Sequence, residues 1–201
     1  MKRMLMFAMA MVMLLAVPFG AQAAEEENAA EMMTLRFPLP AGWQTQEQEE
    51  AGTRMIMCMP ADGMTKEAIM VMGMDLQDAS VAQMTMYVYR MMLSEEDTFK
   101  QMILQMAGVA DSPESAEALA VLESMKISSE ETTLDGREAI RIDFSMDVQG
   151  EPALGALMIT VDGQYNYVLM YLASTEDESG VASFDALLGQ AQFVSAEQAA
   201  A

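Results

Sequence analysis

The chain has 201 residues, a formal net charge of −21, a single cysteine and no histidine. A chain of this length can bury a sizeable core in one domain, and one cysteine excludes an internal disulfide. The missing histidine removes the commonest general base and the commonest transition-metal ligand, and the acidic balance disfavours nucleic acid and anionic lipid as partners. We therefore expect neither an enzyme nor a nucleic-acid-binding protein.

Residues 1–23 have the pattern of a secretory signal peptide. Two basic residues precede an apolar run from Met4 to Val17, and Ala21-Gln22-Ala23 offers a small-residue cleavage site. The apolar run is short for a bilayer, and no later segment has an uninterrupted apolar run long enough to cross one. We predict cleavage near Ala23, an extracytoplasmic product that is secreted or periplasmic, and no membrane span after signal removal.

Residues 24–32 form a short acidic lead that we expect to be mobile. The folded domain is predicted to span 33–194 and to be followed by a flexible alanine-rich tail at 195–201. Near the start of the domain, Trp43 follows a turn rich in proline and glycine. Because a lone tryptophan usually fills the edge of a core, we expect its indole to pack there rather than to bind a ligand.

The next segments, 55–59 and 68–74, are predicted to pair as a β-hairpin. Alternation along a strand places every second residue on one face, so six methionines share one face of this hairpin. These methionines are Met55, Met57, Met59, Met70, Met72 and Met74. The opposite face carries Cys58 among aliphatic residues, so we predict that both faces are buried and that Cys58 is an inert thiol.

Apolar residues recur at helical spacing in the middle of the chain and again near its end. The predicted helices lie around 81–92, 99–106, 114–125 and 181–191. In the first helix, Val81, Met84, Val88, Met91 and Met92 form one apolar face. We expect that face to serve as core.

An antiparallel meander is the best-supported feature of the sequence. Asp-Gly pairs at 135–136 and 162–163 are typical of two-residue hairpin loops. Residues 140–148 alternate between apolar and polar side chains, which predicts a strand with one buried face. Segments 154–161 and 165–173 are apolar on both faces and are predicted to be central strands.

This order of elements predicts the fold class. Clustered antiparallel strands, with helices inserted between two groups of strands, favour an α+β fold. Strands that are apolar on both faces need a cover on both sides of their sheet. We therefore expect a single α/β/α sandwich with a central, mostly antiparallel sheet and helices on both faces.

Four features of the sequence resemble the PsbP-like proteins, and the resemblance covers about residues 33–194. They are the turn Phe37-Pro38-Leu39-Pro40-Ala41-Gly42-Trp43, the segment Leu134-Asp135-Gly136-Arg137-Glu138-Ala139, the strand ending at Tyr165–Tyr171 and the closing helix Phe184–Phe193. The family includes the extrinsic subunit of the oxygen-evolving complex, a Ran-binding nuclear-transport factor and exported bacterial proteins of unassigned role. The resemblance implies an α/β/α sandwich used as a binding or accessory module, with no common catalytic residue.

The methionine-rich hairpin also fits a different chemistry. Thioether sulfur is a soft donor that suits Cu(I), and Met-x-Met spacing presents several sulfurs on one face without histidine. However, the methionine excess extends into the predicted signal peptide, and methionine routinely fills gaps in cores. We predict core packing, with Cu(I) binding or oxidant scavenging by the six methionines as the alternative.

The sequence contains no motif for catalysis, phosphate binding or calcium binding. Cys58 has no histidine as a base, no glycine-rich phosphate loop occurs, and the carboxylates lack the spacing of a calcium-binding loop. We predict an exported, non-enzymatic binding or accessory protein without a cofactor, whose partner is an envelope protein or a small ligand. A hydrolase that works without histidine is the least favoured hypothesis.

Overall fold

A computed structural model describes residues 29–50, 53–61, 67–93, 121, 123–148, 150–174 and 179–194. The predicted signal peptide, the tail and most of the second and third predicted helices lie outside the described residues. Two helices have both of their ends within the described residues, α1 (Ala79–Leu93) and α2 (Ser179–Leu188). The strands are β1 (Ala29–Met32), β2 (Leu35–Pro38), β3 (Trp43–Glu50), β4 (Thr53–Pro60), β5 (Glu67–Asp75), β6 (Lys126–Leu134), β7 (Arg137–Val148), β8 (Glu151–Asp162), β9 (Tyr165–Ala173) and β10 (Gln192–Phe193).

Seven of these strands form one large antiparallel sheet. Their order is β3-β4-β5-β9-β8-β7-β6, so the predicted hairpin and the predicted meander join through the pairing of β5 with β9. The central strands β9 and β8 are largely buried, as their continuous apolar sequences predicted. The edges of the sheet are β3 and β6.

The meander is held in register by tight turns. Asp135 and Gly136 both have positive φ (46° and 76°), which is the backbone of a type I′ hairpin loop and confirms the prediction made from this pair. The second turn differs from the prediction by one residue. Asp162 still belongs to β8, and the loop consists of Gly163, with φ of 58°, and Gln164.

A small sheet, which the sequence did not predict, contains β2 in its centre with β1 and β10 on either side. Residues 24–32 are predicted to form a mobile lead, whereas residues 29–32 pair with β2 in the structure. Met32 is fully buried. A Cβ on Gly73 would lie 2.9 Å from the Met32 side chain, so the glycine gives β1 room to approach β5.

Helix α1 begins at an aspartate cap and packs on one face of the large sheet, hereafter the α1 face. The Asp78 carboxylate accepts hydrogen bonds from the backbone N–H and the hydroxyl of Ser80 (2.7 and 2.6 Å). These hydrogen bonds satisfy a donor of the first turn and hold the pKa of Asp78 below its usual value. The cluster beneath α1 consists of Met86, Ile140, Ile142 and Ile159.

The first predicted helix is confirmed, but the expected packing of its apolar face is wrong. Among the α1 residues whose burial is described, 79–91, Ala82 and Met86 are the buried ones. Because α1 is apolar on both sides, the spacing of its residues cannot decide which side faces the sheet. Four side chains expected in the core, together with one further tyrosine, are instead 43–64% exposed: Val81, Met84, Tyr87, Val88 and Met91.

The opposite face of the large sheet, hereafter the α2 face, carries the main core. Phe184 and Leu187 of α2 pack there with Met158 and Leu169 of the sheet, and the same cluster includes Phe37 of the small sheet. The predicted α+β class with a mostly antiparallel sheet is confirmed. The complete α/β/α sandwich, in which helices cover both faces of the sheet, stays a prediction. Neither α1 nor α2 combines the length and the apolarity that a membrane-crossing helix needs.

Candidate functional site

A groove runs between α2 and the edge strand β6, and we call it the α2/β6 groove. It contains two cavities of about 430 and 550 Å³, and both are lined by Arg141, Asp143 and Asp185. The smaller cavity is also lined by Glu130, Thr132, Leu134, Asp135, Leu188 and Ala191. The larger cavity extends to the start of β6 and is also lined by Lys126, Ser128, Leu154, Val181 and Ala182.

Arg141 ties the sheet to α2 at the boundary that both cavities share. Its Nε and Nη2 donate to Asp143 Oδ1 (2.9 and 2.8 Å), and its Nη1 pairs with the carboxylate of Asp185. The guanidinium carbon lies 5.6 Å from the centre of the Phe184 ring. Arg141 is 6% exposed, so this cation is held by two carboxylates and an aromatic face rather than by water.

The electrostatics of the cluster keep Arg141 charged. Burial alone lowers the pKa of its guanidinium, but the hydrogen bonds and charges of Asp143 and Asp185 outweigh burial and raise the pKa above its usual value. The two carboxylates are 45% and 54% exposed. They therefore remain open to solvent and to a ligand in the groove.

The charge of the groove changes along its length. Four carboxylates and one guanidinium line the smaller cavity, from Glu130, Asp135, Asp143, Asp185 and Arg141. The larger cavity adds the cation of Lys126 and has no carboxylates beyond the two that it shares. The smaller cavity is therefore the acidic end of the groove, and it is complementary to a cationic group.

No pattern in the sequence predicted this groove. The alternating positions of the strand at 140–148 predict one apolar and one polar face, and Arg141 belongs to the polar set. The structure buries Arg141, because α2 brings Phe184 and Asp185 over it from a distant part of the chain. The Arg141-x-Asp143 spacing was the one local indication of this ion pair, since residues two apart on a strand share a face.

A buried hydrogen-bond chain fixes one end of the domain. The N–H of Thr34 donates to the Tyr167 hydroxyl (3.2 Å), and the two hydroxyl oxygens are 2.7 Å apart. The Thr34 hydroxyl donates to Asp162 Oδ2 (3.0 Å), so its own oxygen accepts the proton of Tyr167. Burial raises the pKa of Tyr167, which keeps the phenol protonated, as its donation to Thr34 requires.

The same chain of contacts extends to the wall of the groove. Arg137 Nε donates to Asp162 Oδ1 (2.9 Å), and the Arg137 guanidinium lies over the Phe193 ring. The backbone N–H of Phe193 donates to Asp135 Oδ2 (2.8 Å). Asp135 lines the smaller cavity, so contacts with β8 and β10 hold this end of the groove in place.

The structure brings four of the six predicted methionines together. Met55 lies opposite Met72 and Met57 lies opposite Met70, all on the α1 face, with Met70 also opposite Met170. Met57 is buried, and the other three are half-buried, so the predicted burial is confirmed for the face that carries Cys58 and only in part for the methionine face. Met59 and Met74 lie at opposite ends of the hairpin, about 20 Å apart at strand spacing, and cannot share one ligand with each other.

The other candidate residues of the sequence analysis are structural. Cys58 is fully buried, and burial together with the nearby charge of Glu47 raises the pKa of its thiol to about 12. A thiol with this pKa contains almost no thiolate at neutral pH, so Cys58 is not poised as a nucleophile. Trp43 is half-buried against the main core, as predicted. Within the described ranges, no three Cys, Asp or Glu side chains are grouped to hold a metal ion.

Comparisons with known proteins support the fold. Neither a protein-family model nor a curated protein matches the sequence. The solution structure of cyanobacterial PsbP (CyanoP) from Synechocystis sp. PCC 6803 is similar with a TM-score of 0.52 and 12% identity, over 88% of this chain and 99% of that chain. The resemblance to PsbP-like proteins is therefore confirmed at the level of the fold.

Two further solved structures are similar at lower TM-scores. LpqN of Mycobacterium tuberculosis, described as involved in cell envelope biogenesis, has 12% identity and a TM-score of 0.40, over 80% of this chain and 83% of that chain. A protein of Bacteroides thetaiotaomicron has 9% identity and a TM-score of 0.46, over 81% of this chain. The chain spans 46% of the length of that protein.

Proposed function

We propose that this chain, which has a PsbP-type fold, is an exported, non-enzymatic accessory protein that binds an envelope protein in the α2/β6 groove. The signal-peptide pattern of residues 1–23 supports release outside the cytoplasm after cleavage near Ala23. The resemblance to PsbP-like proteins supports a binding role without catalysis. A large sheet with helices on both faces is the scaffold that we propose for this role.

The observation that carries this proposal is the pair of cavities along an exposed edge of the sheet. Arg141 fixes the position of α2 over the sheet, so the groove is largely formed before a partner arrives. The polar lining and the open carboxylates suit a polar segment of another protein better than an apolar small molecule. The groove therefore favours a protein partner.

A photo-crosslinking experiment tests this assignment. Benzoyl-phenylalanine is placed at Ser128 or Thr132, which line the two cavities, and the purified protein is irradiated with an envelope fraction of the source organism. We expect both positions to capture the same protein, and excess unlabelled wild-type chain to prevent the capture. The products are identified by mass spectrometry.

Matched positions away from the groove serve as controls. Gln83 on α1 and Gln46 on β3 are also exposed. We expect little capture from these positions. Equal capture from the groove and control positions, or different proteins captured at Ser128 and Thr132, would contradict binding in the groove.

A second candidate function is Cu(I) binding by methionine. The observation that favours it is the cross-strand register of Met55 with Met72 and of Met57 with Met70, which places four thioethers on adjacent positions of one face. Met170 extends this set onto β9. In this hypothesis Met59 and Met74 do not take part in the same site.

Titration with Cu(I) against a competing chelator separates the two functions. If the methionines bind Cu(I), we expect a dissociation constant of roughly micromolar or tighter, lost when Met55, Met57, Met70 and Met72 are all changed to leucine. Circular dichroism of the variant checks that the fold is retained. The matched control changes Met84 and Met91, which are exposed on α1, and leaves binding unchanged. Absence of binding by the wild-type chain excludes the copper function.

A further inference from the structure

Strand β6 leaves one side of its backbone without a partner in the described sheet. It is nine residues long, pairs with β7 alone among the described strands, and keeps an unbroken antiparallel register from Lys126 to Leu134. In such a pair, alternate residues direct their N–H and C=O groups away from the neighbouring strand. Neither proline nor a bulge protects this edge, and Ser128 to Glu131 are exposed. The edge is therefore able to accept a further strand.

The charges beside this edge indicate which strand it would accept. On the α2 face, Glu130 and the other carboxylates of the smaller cavity lie next to β6. On the α1 face, Glu131 and Glu138 share the single cation of Arg90 (3.0 and 2.9 Å). Side chains of an added strand would alternate between these two faces, and both faces carry more carboxylates than cations.

We propose that β6 takes up an extended segment of a partner protein as an eighth strand of the large sheet, with lysine or arginine side chains of that segment reaching the acidic end of the α2/β6 groove. The proposal rests on the proposed function, because it names the partner chemistry of the same groove. Backbone hydrogen bonds along β6 supply the pairing, and the carboxylates select basic side chains.

Two alternatives fit these observations less well, namely β3 as the binding edge and a second copy of this chain as the partner of β6. No residue of β3 lines either of the two described cavities of the α2/β6 groove. Antiparallel pairing of β6 with β6 of a second copy would place Glu130 and Glu131 of the two copies close to each other. Like charges directly opposite each other destabilise a strand pair, so a basic partner is favoured.

A synthetic peptide tests the proposal. The probe is a capped peptide of alternating threonine and lysine, nine residues long to match β6, and the full mature chain is titrated with it. We expect saturable binding that weakens with salt, together with slower amide hydrogen exchange in β6 and unchanged exchange in β3. A peptide of alternating proline and lysine carries comparable charge but lacks every second N–H and favours the polyproline II conformation, so we expect it to bind at least about tenfold more weakly.

Charge variants complete the test. Glu130→Lys is expected to weaken binding of the threonine-lysine peptide by about tenfold. Glu49→Lys on β3 changes the net charge equally and is expected to have less than about a twofold effect. Both sites are exposed, so both variants should fold, which circular dichroism verifies. Equal binding of the two peptides, equal effects of the two variants, or no binding of the probe would overturn the proposal.

The two proposals fail in different ways. If Ser128 and Thr132 still capture one envelope protein while the threonine-lysine peptide does not bind, the groove is a binding site but β6 does not accept a basic strand. If neither experiment detects binding, the function proposed for the groove fails as well.

Discussion

Replacing Arg141 by methionine is expected to lower the free energy of unfolding by about 3 kcal/mol. The change keeps much of the apolar volume but leaves Asp143 and Asp185 close together without their shared cation. Both carboxylates are about half exposed, so the expected loss lies at the lower end of what breaking a buried ion pair costs. Urea denaturation monitored by circular dichroism measures it.

The control for this variant is Arg141→Lys. Lysine keeps the charge, but its single ammonium group cannot donate two hydrogen bonds to Asp143 and a third to Asp185 in the geometry of the planar guanidinium. We expect it to lose about half as much stability as Arg141→Met. If Arg141→Met changes stability by less than about 0.5 kcal/mol, the cluster contributes no more than an ordinary surface ion pair.

Replacing Gly155 by alanine is expected to destabilise the protein by about 2 to 3 kcal/mol, because the new methyl group would occupy the position of an aromatic ring. A Cβ on Gly155 would lie 2.1 and 2.4 Å from two ring carbons of Phe144, its cross-strand partner on β7. Phe144 is buried with Met125 and Leu172, so its ring cannot simply turn into solvent. Thermal and urea unfolding measure the loss.

A double-mutant cycle isolates this contact. Phe144→Leu alone removes part of the buried ring and is expected to cost about 1 kcal/mol. In the Gly155→Ala/Phe144→Leu variant the clash is relieved, so the combined loss should be smaller than the sum of the two single losses by about 1 to 2 kcal/mol. Additive losses would mean that the ring over Gly155 is not what excludes a side chain there.

The strands with clear alternation were predictable, and those that depend on distant partners were not. Residues 140–148 alternate because one face of that strand is buried, and segments 154–161 and 165–173 are apolar because both faces of those strands are buried. Each pattern is visible in the sequence of the strand itself. By contrast, β10 has only two residues, and only its pairing with β2 defines it. The polar sequence of β3 lacks an apolar face because β3 is an edge strand, so alternation could not identify it.

The candidate site could be predicted least. The methionine face followed from period-two spacing, and the structure adds the register that brings four of its sulfurs to adjacent positions. The α2/β6 groove depends on α2 lying over β7, and no local pattern specifies where a helix lies on a sheet. The packing of α1 was missed for a related reason, since a helix that is apolar all round leaves its orientation to the tertiary contacts.

The position of β2 between β1 and β10 has a consequence for chain connectivity. The two strands that flank β2 lie about 10 Å apart, and residues 29 and 194 lie beside opposite ends of β2, so roughly 16 Å separates the two ends of the described chain. A short peptide bridge from residue 194 to residue 29 would span that gap, and new termini at the exposed Gly150 turn would interrupt no strand. The architecture is therefore suited to circular permutation, and a rearranged chain of this kind would carry fusion partners on the opposite side of the molecule.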